Sequence, residues 1–187
     1  MKMDSEKALK PHVMGHMSPG GGAYAILDAA RRSEVAIKPY EFQSQWVSLY
    51  KGEPEEALYD VAPYLLHLGD EQGENKELCQ WIEEELWGDS CGIFIYSDSD
   101  LDTLFRHFQE FIIVSDEAGT PLYFRFYDPR VLRIYLPTCT SDELITFFGP
   151  VTAFVMEGEM PEQKICFSLS QGELEIKEYK LSDTIID

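Results

Sequence analysis

Positive charge is scarce in this sequence, cysteines are few and scattered, and long apolar runs are missing. Fifteen Lys and Arg face thirty-four Asp and Glu, a formal net charge of −19. A field of that sign repels phosphate backbones and anionic headgroups, so neither nucleic acid nor a membrane surface is an expected partner. Between Glu53 and Asp89 twelve acids meet a single base, Lys76, so −11 of the charge lies there. Such a stretch could steer a basic partner, although a solvated acidic face that keeps the chain dispersed is the simpler expectation. The apolar, uncharged run 144–156 is broken by Gly149-Pro150. It falls short of the ~20 residues a spanning helix requires, so no transmembrane segment is expected.

The four cysteines, Cys79, Cys91, Cys139 and Cys166, form no C-x-x-C pair. A chain of 187 residues, 44% hydrophobic and 13% aromatic, can bury a core without disulfides or metal. Reduced thiols in the cytoplasm fit that pattern. No apolar stretch follows Lys2 and Lys7, so a secretory signal is not expected either.

The usual catalytic signatures are also missing. His12, His16, His67 and His107 show no H-x-x-x-H spacing and no cysteine at ligand distance, so neither a metal nor another cofactor is expected. There is no G-x-S-x-G elbow and no phosphate loop, and Gly20-Gly21-Gly22 lacks the lysine and the preceding strand. Asp98-Ser99-Asp100-Leu101-Asp102 opens like a calcium loop, but Thr103 stands where glycine is needed and Gln109 where glutamate is needed. With thirty-four acids some carboxylates must meet in any fold, so such a meeting carries little information.

What is present reads as an α/β to α+β chain: a mixed β-sheet flanked by helices, ending in a β-hairpin. Residues 1–22 are polar, end in Ser-Pro-Gly-Gly-Gly, and are expected to be a disordered arm, in which Gly15-His16-Met17 resembles a vector-derived remnant. Residues 23–187 are expected to form one domain with a short strand-rich tail after Pro150. Ala23–Asp28, Gln45–Tyr50, Ala62–Leu68 and Cys91–Tyr96 read as strands. A short helical stretch is expected around Ala30–Val35, and Gly52-Glu53-Pro54-Glu55-Glu56 has the proline and acids of a helix start. Leu78, Trp81, Ile82 and Leu86 recur at helical spacing, which predicts an amphipathic helix over Asn75–Leu86.

Ser99 with Asp102 reads as a capping box for a helix over Leu101–Phe111, and Thr140 with Glu143 as another for a helix ending at Gly149-Pro150. A hairpin is expected around Glu117–Thr120. Asp128-Pro129 has the residue types of an N-cap and first helical position. Val151–Met156, Ile165–Ser170 and Glu173–Leu181 complete the strands, the last two joined at Gln171-Gly172.

The densest unusual stretch is Phe124-Arg125-Phe126-Tyr127-Asp128-Pro129-Arg130-Val131-Leu132. Two of the fifteen bases flank an acid at a strand-to-helix junction, where functional sites are common. Asp128 capping the helix while Arg125 or Arg130 pairs with it is the simplest reading. The same three residues would be the core of a small hydrolase site if the chain were an enzyme.

Tyr24–Ala30, Ser48–Gly52, Ala62–Leu65, Trp87-Gly88 with Gly92-Ile-Phe94, Phe124–Leu132, Leu136-Pro137 and Phe147-Phe-Gly-Pro150 form an ordered series. In order and spacing it resembles the type VI secretion effector adaptors, or adaptor chaperones, from Tyr24 to about Val155. The resemblance implies a non-enzymatic cytoplasmic protein of a Gram-negative bacterium. Its partners would be a toxic effector and the valine-glycine-repeat (VgrG-type) spike protein on which that effector is loaded. It brings no catalytic residues; Arg125, Tyr127, Asp128, Arg130, Phe147 and Phe148 carry over as partner-binding or scaffold positions. The competing expectation is an immunity protein, because small acidic proteins neutralise basic toxins.

Overall fold

The computed structural model describes residues 21–50, 56–70 and 73–181. In chain order it contains β1 (Gly22–Asp28), a 3-10 turn (Ser33–Ala36), α1 (Lys38–Glu41), β2 (Trp46–Ser48), a 3-10 stretch (Glu56–Val61), β3 (Pro63–Asp70) and β4 (Gly73–Glu74). There follow α2 (Lys76–Trp81), which runs into a π-helical stretch (Ile82–Leu86), then β5 (Gly92–Ser97), α3 (Leu101–Ile112), β6 (Ile113–Ser115) and β7 (Pro121–Tyr123). The chain continues through α4 (Pro129–Tyr135), a 3-10 turn (Leu136–Thr138), α5 (Ser141–Phe148), β8 (Val151–Glu157), β9 (Gln163–Ser170) and β10 (Glu173–Lys180).

The main sheet runs β10-β9-β8-β5-β1-β3-β2, with β4 beside β3, and β6 and β7 form a separate ribbon. The class is α+β, and every ladder among the described residues is antiparallel. The central strands β1 and β5 are buried at every position, which explains why they read as unbroken apolar runs instead of alternating ones. Alternate residues face different layers. Tyr24, Ile26, Ile93, Ile95, Phe154 and Phe167 pack with α3, α4 and α5, whereas Ala25, Leu27, Phe94, Tyr96 and Val155 pack with α2 and its π-helical extension. Gly92 is required between β5 and β1, because a Cβ there would lie 2.2 Å from the Ile26 carbonyl oxygen.

The elements follow from local chemistry, with several corrections to the sequence reading. Of the expected N-terminal arm, residues 1–20 lie outside the described residues, but Gly22 already belongs to β1. The helix start expected at 52–56 falls largely outside them too, since the description resumes at Glu56 in a 3-10 stretch. The helical stretch expected around Ala30–Val35 is a 3-10 turn at Ser33–Ala36. Over Asn75–Leu86, Asn75 caps α2 by accepting from Leu78 N–H. Past Trp81 the chain widens, and Trp87 N–H reaches back five residues to the Ile82 carbonyl at 3.1 Å. This π turn keeps Ile82 and Leu86 buried while Glu85 stays exposed.

The cap of α3 is Asp100, not Ser99: its side chain accepts from Thr103 N–H at 2.9 Å. Ser99 is held in the bend just upstream, its N–H on Ser97 Oγ and its carbonyl accepting from the Tyr24 hydroxyl. The capping box at Thr140 and Glu143 forms as expected. The tail makes β8, β9 and β10, with Gln171 and Gly172 both at positive φ, 54° and 85°, as a two-residue hairpin turn requires.

Candidate functional site

The junction into α4 is built around a carboxylate. Pro129 occupies the first helical position, where its missing N–H costs nothing, and Asp128 stands before it in extended conformation. Asp128 Oδ1 accepts from Arg130 N–H at 3.0 Å, which caps the helix. Arg130 then folds back on the same carboxylate, its Nε 2.9 Å from Oδ1 and its Nη2 2.6 Å from Oδ2. This is a two-pronged pair of the kind a planar guanidinium favours.

Arg125 pairs elsewhere. Its Nη2 donates to Oδ2 of Asp28 at 2.6 Å and lies 3.9 Å from Asp128. Asp28 ends β1, and its Oδ1 accepts from Ala30 N–H at 3.0 Å. The result is a chain of alternating charge, Asp28, Arg125, Asp128, Arg130. Both carboxylates are buried, at 1% and 3% exposure, while the arginine side chains stay 43% and 52% exposed.

The two carboxyls titrate differently. Burial raises the Asp28 carboxyl above its ordinary value, and the nearby Arg125 guanidinium only partly offsets that. Burial also works to raise Asp128, but the Arg130 hydrogen bonds and the charges of Arg130 and Arg125 outweigh it, so Asp128 ends below its ordinary value.

Aromatic side chains close the junction. The Arg125 guanidinium lies over the ring of Tyr127 at 5.9 Å. The Tyr127 hydroxyl is 3.3 Å from that of Tyr50, and burial pushes its pKa up. Tyr50 in turn meets the ring of Tyr123, at the end of the β6–β7 ribbon, with centroids 5.4 Å apart.

Phe147 and Phe148 lie deeper, at 1% and 2% exposure. Phe147 packs edge-on to Phe111, Phe126 and Tyr135, and both rings meet Phe154 of β8. Of the two roles expected for them, scaffold and partner contact, their burial fits scaffold. Gly149 follows because α5 ends there at φ 49°, and a Cβ would come within 2.5 Å of the His107 ring. That ring donates from Nε2 to the Phe147 carbonyl at 2.8 Å, and burial lowers its pKa.

The sequence reading therefore finds Arg125, Tyr127, Asp128 and Arg130 at one junction, with Phe147 and Phe148 in the core behind it. It misses Asp28 and Tyr50. The available signal was an aspartate closing an otherwise apolar strand.

A second buried polar group, Glu157, goes unnoticed by sequence. It accepts backbone N–H groups of Ser90 and Gly88, and burial raises its pKa. Beside it Arg133 donates to the carbonyls of Glu157 and Gly158, each at 2.6 Å.

Elsewhere an open cleft lies at the start of α3, lined by Gln45, Val47, Asp100, Leu101, Asp102 and Phe105. Its carboxylates are engaged, Asp100 in the helix cap and Asp102 with Arg106. Among the described residues no three His, Cys, Asp or Glu side chains gather as a metal site, and no helix is long and apolar enough to cross a membrane.

The sequence profile of a family described as a domain of unknown function, DUF4123, matches residues 23–145. The chain belongs to that family. The DUF4123 match runs from β1 into α5, so it takes in Asp28, Tyr50 and the whole Arg125–Arg130 junction. It stops short of Phe147, Phe148 and the three strands that complete the sheet. No curated protein and no solved structure matches the chain.

Proposed function

We propose that this DUF4123 protein is a non-enzymatic adaptor, acting in the bacterial cytoplasm, that binds a type VI secretion effector and helps load it on a VgrG-type spike protein. The observation that carries this reading is the junction itself. Its charged groups are committed to one another: each buried carboxylate is hydrogen-bonded to an arginine, and Asp128 also caps a helix. A general base or nucleophile would need an uncommitted lone pair or a substrate-facing hydroxyl, whereas here the charges tie β1 to α4.

Beside this rigid base stands the β6–β7 ribbon. Ile113, Val114, Leu122 and Tyr123 are each 37–57% exposed and lie on both of its faces. A two-stranded ribbon is marginal alone, so an effector protein laid against these side chains would bury apolar area and order it.

Co-purification with the product of a neighbouring effector gene tests the reading. The complex should form, Leu122→Asp should weaken it at least tenfold without lowering the melting temperature, and deleting the gene should stop delivery of that effector alone. No complex with any neighbouring product would sink the adaptor role, and loss of all type VI secretion would indicate a structural part of the machine.

A further inference from the structure

The edge of the main sheet at β10 offers a second recognition surface, independent of the adaptor reading. β10 pairs with β9 over all eight of its residues, and among the described residues nothing pairs with its other side. Ser170 and Glu173 flank the two-residue turn, so they form a hydrogen-bonded pair, and Leu181 N–H donates to the Glu162 carbonyl further along the same ladder. Odd-numbered residues of β10 thus turn their backbone groups toward β9. Leu174, Ile176, Glu178 and Lys180 present theirs outward. Such a row of unpaired N–H and C=O groups is a template for another strand.

The side chains narrow the choice of occupant. In Glu-Leu-Glu-Ile-Lys-Glu-Tyr-Lys, a lysine and glutamates in mid-strand discourage pairing with an apolar strand. They do not discourage pairing with the same strand reversed. In an antiparallel pair related by a two-fold axis, a residue at the centre faces itself. Centred on Glu175 or Lys177, that places like charges in contact. Centred on Ile176, Glu175 of each copy faces Lys177 of the other, so two opposite-charge pairs flank an Ile176–Ile176 contact. Ile176 is 47% exposed and lies on the same sheet face as the partly buried Leu174. The outward backbone groups of Ile176 and of Leu174 with Glu178 also fall opposite one another in this register.

We propose that two copies of this chain associate through β10 in the register centred on Ile176, joining their sheets into one. Two chains of charge −19 repel at long range, so the local match must carry the contact.

Sedimentation velocity on the full chain over a concentration series tests this. The wild type should pass from 21.4 kDa to twice that mass. Glu175→Lys puts Lys against Lys, and Lys177→Glu puts Glu against Glu, so each alone should weaken association about tenfold or more. When the two variants are mixed, one strand carries lysine at both positions and the other glutamate at both, so opposite charges meet again and a heterodimer should form. Melting temperatures close to that of the wild type would show that both variants are folded. A wild type that stays monomeric at every concentration overturns the proposal, whether the edge is covered by another part of the chain or reserved for a different protein. So does a dimer that neither charge variant weakens, or a mixture that fails to pair.

Discussion

At the scale of single residues, Asp128 does two things that can be separated. It caps α4 through Arg130 N–H and holds the Arg130 guanidinium. Asp128→Ala removes both and should cost about 1–2 kcal/mol, most of it the cap. The half-exposed Arg130 adds little, because water solvates the guanidinium once it is released. Asp128→Asn keeps a capping oxygen and should recover most of the loss. The charge has its own signature. Folded Asp128 holds its proton less tightly than the unfolded ordinary value of about 3.9, so its contribution is complete above that pH and fades as pH falls through the folded value. Asp28 has the opposite sign, and its raised carboxyl weakens the fold as pH rises through the folded value. Melting curves of wild type and Asp128→Asn should therefore differ at neutral pH and converge in acid. A gap that stays constant as pH is lowered through the acid range would mean the charge is not the difference between them.

At the scale of elements, what sequence revealed and what it hid divide along range. Asp128-Pro129, Thr140 with Glu143 and the turn at Gln171-Gly172 act within a few residues, and all three appear where local chemistry puts them. The buried runs of β1 and β5 were also legible, because both faces of the sheet are covered. The π turn after Trp81 was not, since Leu78, Ile82 and Leu86 suit an α-helix equally well. Neither was the partnership of Arg125 with Asp28, which lie 97 residues apart. Sequence offered Arg125 an acid three positions away, and the fold supplied a closer one. The α3 start shows the same limit on a smaller scale. Ser99 and Asp100 are both good caps by type, and the contacts of Ser99 with Tyr24 and Ser97 decide between them. Asp100→Ala should lower stability through loss of the cap, and Ser99→Ala much less, by urea denaturation. Equal losses would refute the assignment.

For the whole molecule, the family match ends at residue 145, but the packing does not. Phe154 of β8 lies against Phe108, Phe147 and Phe148, and β8 covers the open side of β5. A chain cut after Pro150 would keep the matched region yet expose β5 and strip the aromatic cluster of a wall. It should be recovered as aggregate or bind a hydrophobic dye, whereas the full chain should not. A soluble, cooperatively melting 1–150 fragment would show that the tail is an accessory.

The same strand order gives the protein a timetable. During synthesis β5 pairs with β1 as soon as both have left the ribosome, but β8 follows about fifty residues later, a delay of seconds at ~5–20 residues per second. Throughout that interval the middle of the finished sheet is its outer rim, with β5 exposing bare backbone and the apolar side chains that will later meet β8. The nascent chain is thus most prone to wrong partners just before its last three strands arrive.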